Sequence, residues 1–248
     1  MSRRRFMNNK KKLVFFQQRF FPAGTYNWTV PNGCESVDVF LVGGGGGAMD
    51  MSGGGGGYTK TFKAATTGYR DGGAITVTPG ETITIVVGAG GTYRNVGGYS
   101  QFKSSSYRAV GGLPGSSNGY RGGNGGSGGA GDATTNAMGG SDGSNANGGS
   151  NPNNSQCAPG YGQGHTTRDF GEPSGKRNAG GGGCGRSWDN GILEDPATNK
   201  GGVSDYIEGS GNTTSSFYGD GGGGYGGGGG PYSAGGDGTV LIRGYKYQ

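Results

Sequence analysis

Runs of four or five consecutive glycines, Gly43–Gly47, Gly53–Gly57, Gly180–Gly183, Gly221–Gly224 and Gly226–Gly230, constrain this chain more than any other feature. Glycine loses more conformational freedom on ordering than any other residue, so such a run folds only where many backbone bonds form together. The chain holds 66 glycines in 248 residues, far above the usual share of about 7%. Only 29% of residues are apolar, which excludes an oily core spread over the whole length but leaves room for a small one. The runs lack the Gly-X-Y period of collagen. Polyglycine can instead form a left-handed threefold helix with a rise of about 3.1 Å per residue. Every N–H and C=O of such a helix points outward, and with no side chains in the way neighbouring helices pair through N–H···O and Cα–H···O contacts.

The apolar residues cluster in Leu13–Val110 and Thr239–Tyr247, and there the alternation is that of strands. In Ser36–Val42, Val37, Val39 and Leu41 share one face, with Asp38 and Phe40 on the other. In Thr82–Val87, Ile83, Ile85 and Val87 oppose Thr82 and Thr84. Thr25–Val30, Ala74–Val77, Tyr99–Phe102, Tyr107–Val110 and Thr239–Arg243 read as further short strands, with Val240 and Ile242 on one face of the last. Thr78-Pro79-Gly80-Glu81 has the residues of a type II turn and predicts a hairpin joining Ala74–Val77 to Thr82–Val87. No segment sustains a helical period. The fold expected is all-β: a small, jelly-roll-like β-sandwich carrying a long glycine-rich insert of packed polyglycine II helices and loops. Its parts are a basic arm and anchoring strand over 1–20, the sandwich over 21–110 plus 239–248, and the insert over 111–238. Thr239–Arg243 is expected to return to the sheet begun by Ser36–Val42 and so pin the insert.

The net charge of +5 is unevenly placed. Arg3, Arg4, Arg5, Lys10, Lys11 and Lys12 precede a body that is close to neutral. Such an arm can attach to an acidic protein surface, a membrane surface or nucleic acid, or simply be solvated. Lys12-Leu13-Val14-Phe15-Phe16 is β-prone and apolar, and is expected to pair with a neighbouring strand or a partner subunit, its flanking cations acting as gatekeepers. Cys34, Cys157 and Cys184 are odd in number and widely spaced, which is no disulfide framework and fits a reducing compartment. Leu13–Phe16 is interrupted by Gln17, Gln18 and Arg19 before it reaches signal length, and no run approaches a membrane span.

Catalytic and ligand chemistry leaves few traces. Gly88-Ala89-Gly90-Gly91 follows a strand, but Thr92–Gly97 is no helix to present its N-terminus to a phosphate. His165 with Cys157 and Cys184 lacks the close ligand pairs of a zinc site. Asp189, Glu194 and Asp195 flank Trp188 without a positioned acid/base pair. Tyr120-Arg121-Gly122-Gly123 is a single RGG, whereas RNA-binding RGG segments repeat the unit. No enzymatic activity and no cofactor is expected. Tyr120, Tyr161, Trp188, Tyr206, Tyr218, Tyr225 and Tyr232 sit among Gly, Ser, Asn and Asp. That is the composition of binding loops suited to sugars or protein surfaces, and equally of rings that cover a glycine lattice.

An ordered set of motifs resembles a known family. Phe21-Pro22-Ala23-Gly24-Thr25-Tyr26-Asn27-Trp28-Thr29-Val30-Pro31-Asn32-Gly33 opens it. Val37–Val42 with Gly43–Gly47, Gly53–Tyr58, Thr78–Glu81 and Ile85–Gly91 follow, and Gly236-Asp237-Gly238-Thr239-Val240-Leu241-Ile242-Arg243-Gly244-Tyr245 closes it. The set is similar to the glycine-rich domain of phage tail-fibre and other virion proteins. That resemblance covers about Phe20 to Tyr245 and implies a small sandwich with a polyglycine insert used for rigid display and host-surface recognition. It makes a non-enzymatic virion structural protein (a fibre, spike or head-decoration component, assembled in the host cytoplasm) the expected function. A bacterial surface or secreted adhesive domain and a disordered RGG-type RNA-binding protein are the alternatives. The expected partners are other virion proteins, reached through Arg3, Arg4, Arg5, Lys10, Lys11, Lys12, Phe15 and Phe16, and a host-surface glycan or protein, reached through the aromatic loop residues. Further copies of the chain remain open as partners; nucleic acid and a membrane span are not expected.

Overall fold

A computed structural model describes residues 12–49, 52–116, 122–129, 166–182, 225, 227–229 and 233–248. The strands are β1 (Leu13–Phe20), β2 (Gly24–Thr29), β3 (Ser36–Val42), β4 (Thr59–Phe62), β5 (Ile75–Thr76), β6 (Thr82–Val87), β7 (Ser100–Phe102), β8 (Arg108–Ala109) and β9 (Thr239–Tyr247). They form two antiparallel sheets, β1-β9-β3-β4 with β5 also on β3, and β2-β6-β7-β8. No α-helix occurs among the described residues; a single 3-10 turn lies at Asp169–Gly171.

Alternation explains how the sheets stack. Val37, Val39 and Leu41 of β3, Val240 and Ile242 of β9 and Phe20 of β1 face Trp28 of β2, Ile83, Ile85 and Val87 of β6 and Phe102 of β7 in one buried cluster. Burying each such side chain contributes roughly 1.5–3 kcal/mol. The facing of Ser36–Val42, Thr82–Val87 and Val240/Ile242 is as the period predicts. β9 also pairs with β3, Leu241 opposite Phe40 and Arg243 opposite Asp38, as expected of the returning strand.

Several expectations change. The Thr78–Glu81 turn forms, with Glu81 N–H donating to the Thr78 carbonyl at 3.0 Å and Gly80 at φ 81°. It is not a hairpin, because β5 pairs with β3 in one sheet and β6 with β2 in the other; the turn carries the chain across the sandwich. β9 runs four residues beyond Arg243, since β1 supplies a partner down to Leu13 opposite Tyr247. β1 thus finds a neighbouring strand in β9, as expected of the apolar Leu13–Phe16 run. β4, Thr-Lys-Thr-Phe, has no apolar alternation to announce it and is made by its register with β3.

The glycine segments form a lattice, and Gly43–Ala48 lies at its centre. Gly43 and Gly46 donate to Tyr58 and Gly55; Gly44 and Gly47 donate to Gly98 and Asn95; Gly45 and Ala48 donate to Gly236 and Ser233, all at 2.8–2.9 Å. Each direction recurs at the third residue, which is the signature of a threefold helix. The carbonyls reach other neighbours: Gly44 and Gly47 accept from Gly112 and Gly115, Gly45 from Gly91, and Gly46 from Gly229. Close approach is obligatory. A Cβ at Gly54 would overlap the Gly46 carbonyl, and one at Gly44 the Ala89 carbonyl. The lattice thus draws on 43–57 and 88–98, which sequence reading assigns to the sandwich, as well as on segments after 111. Continuity explains this: β3 and β6 each run directly into a lattice segment.

Candidate functional site

Asp237 and Thr239 show why the closing Gly-Asp-Gly-Thr motif has those residues. Asp237 accepts from Gly90 N–H at 2.9 Å and from Ala23 N–H at 3.1 Å, tying the lattice to the start of β2. The Thr239 hydroxyl donates to the Phe20 carbonyl at 2.9 Å. Gly238 lies against the Val42 carbonyl, where no Cβ fits. Ser100, fully buried, donates to the Val42 carbonyl at 2.6 Å and accepts from Gly88 N–H at 3.0 Å, at the point where β3 becomes lattice. Gly33, at φ 78°, closes the Pro31-Asn32-Gly33 turn beneath the Tyr247 ring, whose carbons a Cβ would overlap.

The outer face of the first sheet is covered at one end. Phe40, Val42 and Leu241 pack with Phe170, Ala179 and Tyr225, with Phe21 alongside. The 166–179 segment is held there by charge. Asp169 meets Arg19 at 3.3 Å and Glu172 meets Arg243 at 2.7 Å, while Arg243 also donates to Asp38 at 3.0 Å and lies 4.0 Å over the Phe170 ring. Lys63 is wholly enclosed beside this layer and donates to the Thr67 carbonyl at 2.6 Å. Burial pushes its ammonium below the ordinary lysine value, against the opposing pull of Glu172 and Asp38. Arg19, Asp38, Asp169, Glu172 and Arg243 are paired among themselves and hold the segment down.

Gly88–Gly91 is lattice. Gly91 N–H donates to Gly45 and Gly90 N–H to Asp237, so these donors are turned inward, away from any phosphate. Gly123 of the single RGG donates to the Gly53 carbonyl at 2.9 Å. Cys34 is buried, its thiol directed at the Ser36 carbonyl and held above its ordinary value by burial. Cys157, His165, Cys184, Asp189, Glu194 and Asp195 lie outside the described residues.

Of the aromatic residues expected at a recognition surface, Tyr120, Tyr161, Trp188, Tyr206, Tyr218 and Tyr232 also lie outside the described residues. Tyr225 is described, and it corrects the expectation. Its ring is buried, edge-on to Phe21 at 5.1 Å with Arg19 stacked at 4.5 Å. It covers the junction of sheet and lattice instead of facing a partner.

Of the attachment residues, Arg3, Arg4, Arg5, Lys10 and Lys11 fall outside the described residues, and Lys12 is exposed beside β1. Phe15 and Phe16 separate. Phe15 is 53% exposed on the outer face, whereas Phe16 turns inward and packs on Trp28 with ring centroids 6.2 Å apart. A strand cannot present two consecutive residues on one face, so Phe16 belongs to the core. Register adds residues that the sequence reading passes over: Leu13 lies opposite Tyr247 and Phe15 opposite Tyr245. These four side chains make an exposed apolar patch. Alternation in Leu13–Phe20 could have separated Phe15 from Phe16; the aromatic partners on β9 needed the register.

Two stacked antiparallel sheets that clamp a threefold glycine lattice are the class of protein this geometry defines. The profile of the glycine-rich domain family matches residues 21–245, and the chain belongs to that family. No curated protein matches it. The matched span begins after β1, so the first strand and the basic segment lie outside the family pattern.

Proposed function

We propose that this chain is a non-enzymatic structural protein of a bacteriophage particle, a fibre, spike or head-decoration component that displays a glycine-rich surface for host attachment. The observation that carries the reading is the threefold hydrogen bonding around Gly43–Ala48. Backbone committed to so dense a network makes a stiff scaffold, suited to holding loops at a distance from their anchorage and ill suited to the hinged cleft of an enzyme. The order of motifs, which resembles that of virion glycine-rich domains, points the same way, as do the half-buried, internally paired charges under 166–179.

Protein identification on purified particles, with antibody labelling in electron micrographs, tests the reading. The protein is expected at a fixed place on intact particles. Its absence from particles and recovery in the host envelope fraction would replace the proposal with a bacterial adhesive domain.

A further inference from the structure

β1 closes one side of the first sheet, and among the described residues no strand pairs with its far edge. Gln248 N–H donates to the Lys12 carbonyl at 3.0 Å, continuing the register of Leu13 opposite Tyr247. In an antiparallel pair the backbone groups of alternate residues point to opposite sides. The even-numbered residues of β1 therefore bond to β9, and Leu13, Phe15 and Gln17 turn their N–H and C=O groups to the open edge. Tyr247 N–H, donating to Asn32 on the opposite flank of β9, obeys the same alternation.

Exposed edges are ordinarily blunted by lysine, proline, a bulge or short length. β1 has eight residues, Leu-Val-Phe-Phe-Gln-Gln-Arg-Phe, without lysine, proline or bulge. Arg19, its only charge, is drawn back to Asp169 and Tyr225. Beside the edge stands the apolar patch of Leu13, Phe15, Tyr245 and Tyr247, which are 53%, 53%, 58% and 43% exposed. Phe15 and Tyr245 meet edge to face at 5.8 Å.

Charge selects the occupant. The first acidic residue of the chain is Glu35, so residues 1–34 carry only positive charge, from Arg3, Arg4, Arg5, Lys10, Lys11, Lys12 and Arg19. A second copy pairing β1 against β1 antiparallel would bring Lys12 to the Arg19 end of its partner strand, where Asp169 is already paired with Arg19. A strand running antiparallel to β1 passes Lys12 with its C-terminal end, so acids there are complementary.

We infer that β1 is a docking edge that accepts an extended polypeptide segment of another protein, apolar in alternation and acidic at its C-terminal end. Main-chain bonds to Leu13, Phe15 and Gln17 supply affinity, while the patch and Lys12 supply selectivity. The inference rests on the attachment role proposed above and gives that role its partner.

The test is fluorescence anisotropy of the full chain with a labelled peptide that alternates valine and threonine and ends in aspartates and glutamates. Saturable binding that weakens with salt is expected, with about tenfold weaker binding for the same peptide ending in lysines. Gln17→Pro removes an outward N–H while leaving the β9 ladder intact, and should weaken binding about tenfold with the melting transition unchanged. Should that variant not fold, Phe15→Ser reads the patch instead, with loss of similar size. Equal binding of the acidic and basic peptides, or undiminished binding by the folded Gln17→Pro chain (by Phe15→Ser where the proline variant does not fold), would overturn the inference. So would uptake of an oligonucleotide or anionic vesicles in place of the peptide, or a dimer that Gln17→Pro dissolves. Because purified protein is used, failure here leaves residence on the particle standing, and absence from the particle leaves the docking edge standing.

Discussion

Ile85 in the sandwich and Gly54 in the lattice are both enclosed by protein, yet opposite changes would harm them. Ile85 is surrounded by apolar side chains of two sheets, and its stabilisation scales with the area it removes from water. Gly54 donates to Gly229 at 2.9 Å, accepts from Gly182 at 2.8 Å, and has the Gly46 carbonyl where a Cβ would go. The sandwich is held by atoms beyond the backbone; the lattice is held by having none. Burial alone therefore says little about which substitutions a site tolerates.

The contrast can be broken by adding one carbon atom. Gly54→Ala should destabilise by about 4 kcal/mol or more, because the obstacle is backbone fixed by other hydrogen bonds rather than a side chain able to move. Denaturant unfolding measures it, and a cost under about 1 kcal/mol would mean the lattice can loosen locally. Removing atoms is the converse: Ile85→Ala should cost about 3 kcal/mol by the same measurement. Asp237→Ala, which strips the Gly90 and Ala23 amides of their acceptor, should cost about 2 kcal/mol and speed amide exchange in Gly88–Gly91 more than in β6.

Two smaller effects sharpen the boundary. Gly73 has open space where a Cβ would go, so Gly73→Ala should stay within about 0.5 kcal/mol and show that glycine content alone does not confer sensitivity. Glu81 is held below its ordinary value of 4.5 by its hydrogen bond to Lys103, then by the Thr78 N–H. A depressed carboxylate adds stability above its unfolded value, and that stability is lost as pH falls through the folded value. Acid titration of the melting temperature should therefore fall slightly less for Glu81→Gln than for the parent. A larger difference would mean that the inter-sheet turn matters more than its exposed position suggests.

Much of the sandwich was legible from period two alone. β3 and β6 fall where the alternation of Ser36–Val42 and Thr82–Val87 puts them, and Gly80 takes the positive φ its turn requires. The destination of that turn was not legible, because a type II turn looks the same in sequence whether its strands pair or part. Burial of both faces of β3 was hidden for a similar reason: Phe40 and Val42 become core only when Phe170, Ala179 and Tyr225 arrive from distant segments. The candidate site divides in the same way. A basic start and an apolar strand can be read directly, whereas the exclusion of Phe16 and the inclusion of Tyr245 and Tyr247 depend on how β1 lies on β9.

Residue chemistry by itself determined that the chain would be all-β, with a small core, and that its glycine runs could be ordered only by bonding to other backbone. Those are consequences of side-chain period and of missing Cβ atoms, both local. Tertiary structure decided which segments share the lattice, that the Tyr225 ring is buried at its junction with the sheet, and which strand lies at the edge of the first sheet. Each of these is a pairing between residues far apart in the chain, and the amide and carbonyl groups that make them are the same at every position.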